Sequence, residues 1–428
     1  MSTAHIIARS EHTLSRSQIS ENALKVLYRL KNAGFEAYLV GGSVRDLLLG
    51  RKPKDFDVAT DATPEEVRQL FRNCRLIGRR FRLAHVHFGP EIIEVATFRG
   101  QHQGDEGDER QIVNGMIVRD NVYGTLEEDA WRRDFRVNSL YYNIRDFSVV
   151  DLVGGMEDLR QRVLRLIGDP ETRYREDPVR MLRAIRFAAK LDFELAPETA
   201  APLHELGHLL EDVPPARLFE EILKLFMSGH GVKTLRLMRA FHLCPYLFPQ
   251  TQECLEHDEH SVFAHFIERV LENTDQRIAE DKPVTPMFLL ASFLWQPVQQ
   301  LRARFLERGM SKSQALMAAA DSVLSGQAQR IAVPRRFQTA IKEVWQMQDR
   351  LENRQPRRSL RLVQHPRFRA GYDFLLLRSQ VGDADPALAH WWDALYHASE
   401  SERDKLVAGL GQGKRPRRRR RRRARKSD

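Results

Sequence analysis

The sequence predicts an α+β protein, a small sheet domain followed by an all-helical remainder. Three observations predict it. Up to about residue 150, short runs with two-residue alternation are separated by glycine and proline turn signals. Beyond Gly168-Asp169-Pro170 the pattern becomes helix after helix. Positive charge in excess is confined to the last fifteen residues, which have nothing apolar to bury.

Taken in order, residues 1–17 read as a flexible leader, and Ile19 to Ala33 fit an amphipathic helix with Ser20 as N-cap and Gly34 just past its end. Tyr38, Leu39 and Val40 form a short buried strand running into Gly41 and Gly42, where the backbone can turn sharply and approach a ligand. A short helix from Ser43 to Leu49 stops at Gly50. After Pro53, Asp55-Phe56-Asp57-Val58 begins a second strand, placing Asp55 and Asp57 on one face and Phe56 and Val58 toward the core. Thr63-Pro64-Glu65-Glu66 is a capping box with proline at the first helical position, opening a helix to about Asn73. Strands are expected near Arg75 to Ile77, Ala84 to Phe88 and Ile92 to Phe98, and a loop spans Gly100 to Asn121.

Farther along, Asp177-Pro178 opens a helix with aspartate at the N-cap and Val179, Leu182, Ile185 and Ala189 on its apolar face. Pro214-Pro215 starts another, with Leu218, Ile222 and Leu225 apolar. From Val232 to Ala398 the helices are arginine-rich, and Phe305, Phe337, Phe368 and Tyr372 lie among Arg302, Arg335, Arg354, Arg361 and Arg369 as candidate base-stacking partners.

Composition limits the function. The longest apolar run, Met287 to Trp295, is well short of a membrane helix. Met1 to Thr13 lacks the apolar core of a secretory signal, and three cysteines form no disulfide framework, so a cytoplasmic protein is expected. Cys254, His257 and His260 have no fourth ligand at finger spacing. Lys414 to Lys426 carries eleven lysines and arginines, seven of them consecutive from Arg417 to Arg423, against Asp428 alone; the first 413 residues hold 57 basic and 57 acidic side chains. Such a tail attracts a polyanion, RNA above all, and is also compatible with peripheral contact to an anionic membrane.

Two carboxylates on one strand face repel unless a cation lies between them, and carboxylate oxygens suit magnesium. Gly41, Gly42 and the helix start beside them suit a triphosphate. Glu94, set among apolar residues of its strand, is a candidate supporting carboxylate if that strand adjoins Asp55, or else an edge-strand acid or a partner for Arg99. In Trp131 to Leu140, Arg132 and Arg133 offer donor forks to phosphates, Asp134 adds a carboxylate, and Asn138 offers an amide to a sugar hydroxyl.

With its strand, Gly-Gly turn, Arg45-Asp46 and Asp-x-Asp unit, the stretch from Leu39 to Thr60 resembles the signature of polymerase-beta-type nucleotidyltransferases. Adding RRDFRVN, EDPVRMLRAIRF from Glu176 and the helix Arg217 to Leu225, the chain resembles the class II nucleotidyltransferases, the family of bacterial poly(A) polymerases and CCA-adding enzymes, from about Ile19 to Gly229. KPKDFDVATDATPEEV, FRNCRLIGRRFRLAHV, EIIEVATFRG and the arginine-rich tail resemble the bacterial poly(A) polymerase branch. Ser43 and Arg136 stand where relatives often carry glycine and threonine.

The resemblance implies a catalytic head at 18–155, a nucleobase-binding neck at 156–230, an RNA-binding body at 231–400 and a disordered tail at 401–428. It implies Asp55, Asp57 and Asp134 as catalytic carboxylates, with Asp55 and Asp57 holding two magnesium ions for which manganese can substitute. Gly41, Gly42, Arg45, Asp46, Arg133 and Asn138 would bind the nucleotide, and Asp177 and Arg180 would present its adenine with donors and acceptors. The implied reaction adds AMP from ATP to RNA 3′ ends without a template, in a monomer, with RNA-decay or RNA-binding proteins as candidate partners. CCA addition to tRNA is the alternative, since it shares every catalytic motif. A silent RNA-binding platform would have no need of clustered repelling carboxylates, and His257-Asp258 alone is a weak sign of a phosphohydrolase.

Overall fold

The computed structural model describes residues 4–78, 82–100, 110–113, 116–120 and 122–412. Arg79, Arg80 and most of the Gly100 to Asn121 loop lie outside the described residues, as does the arginine run. The fold is mixed α+β, with a sheet domain first and a mostly helical remainder, in two compact units meeting in sequence at Leu247 and Phe248.

In the first unit an eight-stranded sheet has the order β1 (His5–Ile7), β10 (Val149–Asp151), β9 (Leu140–Asn143), β2 (Ala37–Val40), β3 (Asp57–Thr60), β6 (Glu91–Thr97), β5 (Leu83–Phe88), β4 (Cys74–Ile77). Its pairs are antiparallel except β3 with β6. Outside this sheet, β7 (Arg110–Val113) pairs antiparallel with β8 (Met116–Asp120), and β11 (Val163–Leu164) pairs parallel with β12 (Glu194–Leu195). The expected leader is corrected here: His5–Ile7 pairs with β10, Leu14 is fully buried, and Arg16 stacks on Phe147 at 4.6 Å. With Ile6 exposed and Ile7 buried, so short a strand pairs by its backbone and carries almost no sequence period.

Helix α1 (Glu21–Asn32) buries Ala23, Val26, Leu27 and Leu30 and packs on β2, β3 and β6. Ser20 accepts from the Asn22 and Ala23 N–H groups, as its N-cap position predicts. The opposite sheet face is covered by a cluster of Val40, Ala59, Phe98, Ala130, Tyr141 and Val150. Helix α2 (Gly42–Leu48) follows the glycine turn, and α3 (Pro64–Leu70) opens on the Thr63/Glu66 capping box but stops at Phe71, before Asn73. Helix α4 (Leu126–Arg132) opens on a second capping box, Thr125/Glu128.

Beyond the sheet come α5 (Gly155–Gln161), α6 (Pro170–Glu176) and α7 (Val179–Leu191), the last burying nine residues. The helix Pro215–Phe226 packs on α7, and so does Gly231–Ala240, which the sequence assigned to the body. That assignment moves: the first unit runs on to Leu247 because α7 offers these helices an apolar face.

The second unit is helical. Phe374 packs edge-on against Phe266, Phe288 and Trp295, with ring centroids 5.2, 5.8 and 5.3 Å away. Phe368 and Tyr372, expected among base-stacking aromatics, are each 1% exposed and stack on one another in this core. Residues 401–408, expected as tail, belong to the helix Glu400–Ala408, which has a Ser399/Glu402 capping box and a buried Val407. Among the described residues no helix is long and apolar enough to cross a membrane.

Candidate active site

The carboxylates gather where β2 ends and β3 begins, beside the middle of β6. Register pairs Val40 with Asp57 and Asp57 with Glu94, which sets Asp57 and Glu94 side by side on the cluster-covered face. Glu94 thus joins Asp57, its Oε2 lying 3.3 Å from Nε2 of His85. The strand was expected to begin at Asp55 but begins at Asp57. In this register Asp55 falls opposite Gly42, where β2 has already given way to α2, so no ladder partner exists on that side. Asp55 is exposed.

Burial first, then the charge of Glu94, push the Asp57 carboxyl up to about 6; Arg133 opposes the shift and Asp55 adds to it. A partly buried carboxylate in surplus negative charge fits a divalent cation held by hard oxygen donors. Among the described residues no three His, Cys, Asp or Glu side chains already converge on one ligating point. Since protons compete with the cation for Asp57, adding magnesium or manganese is expected to raise the thermal midpoint clearly at pH 8 and little at pH 5. Calorimetry in both buffers checks this, and equal shifts would remove Asp57 from the ligand set.

The glycine turn borders the same place. Gly41 has φ +76 and ψ −133, and a Cβ there would meet Arg133 Nη1 at 3.7 Å and the Asn138 carbonyl at 3.8 Å. The backbone favours glycine here, while the space would accept a Cβ in ordinary van der Waals contact. Arg133 donates from Nε and Nη2 to Asp129 Oδ2 at 3.1 and 3.0 Å, and Nε also reaches the Tyr141 hydroxyl at 2.9 Å. Arg45, 2% exposed, donates through Nε and Nη2 to Asp46 Oδ1 at 2.9 and 2.7 Å and through Nη1 to Asn138 Oδ1, with its Cζ 5.3 Å from the Phe187 ring. Arg45 and Asp46, expected at the triphosphate, are bound to one another inside the fold.

Asp134, expected beside Asp55 and Asp57, has its oxygens engaged elsewhere. Oδ2 accepts from Arg183 of α7 at 2.8 and 2.5 Å, while Oδ1 accepts from the Phe135 N–H at 2.8 Å and Asn138 Nδ2 at 3.3 Å. Burial would raise this carboxyl, but the Arg183 charge and these hydrogen bonds hold it at about 2. Asn138 thus joins Arg45 to Asp134 and, through it, to α7.

Asp177 caps the C-terminus of α6 and not the N-terminus of α7, since its Oδ2 is turned to Arg217 Nη2 at 2.8 Å. Arg180 donates to Glu176 Oε2 at 2.9 Å and to the Arg173 carbonyl at 2.7 Å. The Arg180 N–H donates to the Asp177 carbonyl at 3.0 Å, while the two side chains turn to different partners. Arg173 donates to the Arg132 and Arg133 carbonyls at 2.5 and 2.7 Å, tying α6 to the RRDF segment. Sequence reasoning missed Arg183, Arg217, Arg173 and Glu176 as site residues. Glu176 and Arg183 lie within the EDPVRMLRAIRF motif and Arg217 opens the Arg217 to Leu225 helix, so these three left a signal, whereas Arg173 lies outside every motif.

A Gly-Gly turn next to paired strand carboxylates, with arginines brought from a helical neck, defines a nucleotidyltransferase. Family models agree in order along the chain: "Poly A polymerase head domain" over residues 37–165, "Probable RNA and SrmB- binding site of polymerase A" over 192–255, and "Polymerase A arginine-rich C-terminus" over 308–426. The chain is 53% identical over 411 residues to Poly(A) polymerase I of Salmonella typhimurium, covering 95% of this chain and 88% of that one. This chain belongs to the bacterial poly(A) polymerase I family. A CCA-adding enzyme of Lactobacillus helveticus is 39% identical over 50% of this chain and 52% of its own. The fold is also that of the CCA-adding enzyme of Bacillus stearothermophilus in complex with CTP, at a TM-score of 0.57 and 24% identity, covering 91% of this chain and 82% of that one. Polymerases of the nucleotidyltransferase family generally use divalent metal ions.

Proposed function

We infer that the chain adds AMP from ATP to RNA 3′ ends without a template, releasing pyrophosphate and promoting RNA processing and decay. The observation that carries this reading is the 53% identity to a poly(A) polymerase I across 95% of the chain. Asp55 and Asp57, with Glu94 beside Asp57, would hold two magnesium ions, with manganese a substitute. When bound, the metal activates the RNA 3′-hydroxyl and offsets charge on the departing pyrophosphate. The rest falls to the chain itself. Gly41 and Gly42 let the triphosphate approach the backbone, and Arg133 sits where a guanidinium can meet its charge. Arg45, Asp46, Asn138 and Asp134 position that wall by holding α2, the RRDF segment and α7 together. Asp177 accepts from, and Arg180 donates to, the edge of the adenine, with Arg217 and Glu176 fixing their directions in place of a template base. RNA is the macromolecular partner, the enzyme acts as a cytoplasmic monomer, and the arginine tail adds affinity for phosphates without reading sequence.

The test is a gel assay with purified protein, magnesium, an unstructured RNA bearing a free 3′-hydroxyl and each NTP in turn. A long ladder with ATP alone is expected. Addition of one to three nucleotides that requires CTP and a tRNA end would transfer the chain to CCA addition and leave the site standing.

A further inference from the structure

A cleft of about 600 Å³ lies in the second unit among the helices Lys312–Arg330, Arg335–Glu352 and Pro356–Val363. Its apolar wall comes from Leu316 and Leu362, and its charge from Arg350, Arg358 and Arg361. Two observations set it apart from an ordinary helical surface. Ser359 is only 2% exposed, yet its Oγ has no hydrogen-bond partner among the described residues. A buried hydroxyl left unmatched costs about 1–3 kcal/mol, which a ligand would recover. Second, among the described residues none of those three arginines has an acidic partner, whereas nearby Arg302, Arg367 and Arg369 are paired with Asp349, Glu343 and Asp373 at 2.7, 2.8 and 2.9 Å. Asp349, the acid on the cleft wall, is therefore already neutralised.

We propose that this cleft is a holding subsite for single-stranded RNA, in which phosphates meet Arg350, Arg358 and Arg361 while a base lies against Leu316 and Leu362 with its edge on the Ser359 hydroxyl. The volume falls within the roughly 300–1,000 Å³ of small-ligand sites and has room for a nucleotide. Uncompensated guanidinium groups select a polyanion, and an apolar wall with a polar floor selects one that carries flat, hydrogen-bonding rings. The proposal rests on the reading of the chain as an RNA 3′-end polymerase and adds a place where it holds RNA by a site built into a folded helical unit.

The experiment measures fluorescence anisotropy of labelled oligo(A), together with ATP addition to the same oligonucleotide, using the full chain. Arg358→Glu/Arg361→Glu is expected to weaken RNA affinity about tenfold and lower the salt slope by roughly 1.4, the loss of two phosphate contacts to a single strand. KM for RNA should rise while kcat at saturating RNA holds. Ser359→Ala should weaken binding several-fold with an unchanged or higher thermal midpoint, a combination that a purely structural serine would not give. Both variants binding RNA as the wild type does, in a protein that still extends RNA with ATP, would overturn the subsite and leave the cleft to a protein partner. Binding losses in the variants of a protein that extends no RNA with ATP would sink the polymerase reading and keep the subsite.

Discussion

Asp57→Ala is expected to lower the rate of AMP addition by about a thousandfold or more, the scale of losing several kcal/mol of transition-state charge stabilisation. Single-turnover addition at saturating ATP reads it directly. RNA affinity should remain, because the basic groups that attract phosphates are untouched. The isosteric Asp57→Asn separates this loss from damage to the fold. Burial and Glu94 raise the Asp57 carboxyl from 3.8 to about 6, so the stability linked to its proton is present below about pH 4 and lost as pH rises through 6. The neutral amide avoids that loss, so metal-free Asp57→Asn should be more stable than the wild type at pH 8 by roughly 3 kcal/mol while remaining inactive. Retained turnover in either variant would remove Asp57 from the reaction.

Asp134→Ala is expected to destabilise the first unit by about 3 kcal/mol, since it strands the Arg183 guanidinium with its partner gone. It should also depress activity by loosening the link from Asn138 to Arg45. Asp134→Ala, Arg183→Met and the double variant form a cycle whose coupling should exceed about 1.5 kcal/mol for residues in direct charge contact. Additive losses would mean that Asp134 acts on something other than Arg183. The acid limb gives a second readout. Asp134 is held at about 2, below its ordinary value, so its contribution is complete above about pH 4 and disappears as pH falls from 4 toward 2. Asp134→Asn should flatten that limb by about 2 kcal/mol.

How far the site could be read in advance depends on how local its causes are. The strand, glycine turn and helix around Gly41 follow from a few adjacent residues, and so do the Ser20 and Thr63 caps. The pairing of Asp57 with Glu94 depends on two strands 37 positions apart lying parallel, which alternation within each strand cannot reveal. Asp134 and Arg183 are 49 residues apart, and Asp177 and Arg217 are 40. Such ion pairs have no periodicity to betray them. Arg45 shows a different gap. The motif marks it for phosphate, but its 2% exposure and its bonds to Asp46 and Asn138 depend on the packing of α7 and the RRDF segment, which the motif does not carry. Phe368 and Tyr372 were misplaced for a similar reason, because an aromatic flanked by arginines in sequence can still face the core.

The edge strand His5–Ile7 has a partner that does not exist when it is made. A ribosome releases it roughly 140 residues before Val149–Asp151, and at about 5–20 residues per second the interval is many seconds. Through that time the chain's first strand has no sheet to join, while β4, β5 and β6 can pair as successive hairpins. The sheet therefore gains its His5–Ile7 edge only after Val149–Asp151 has been made, so the segment made first is among the last to be paired.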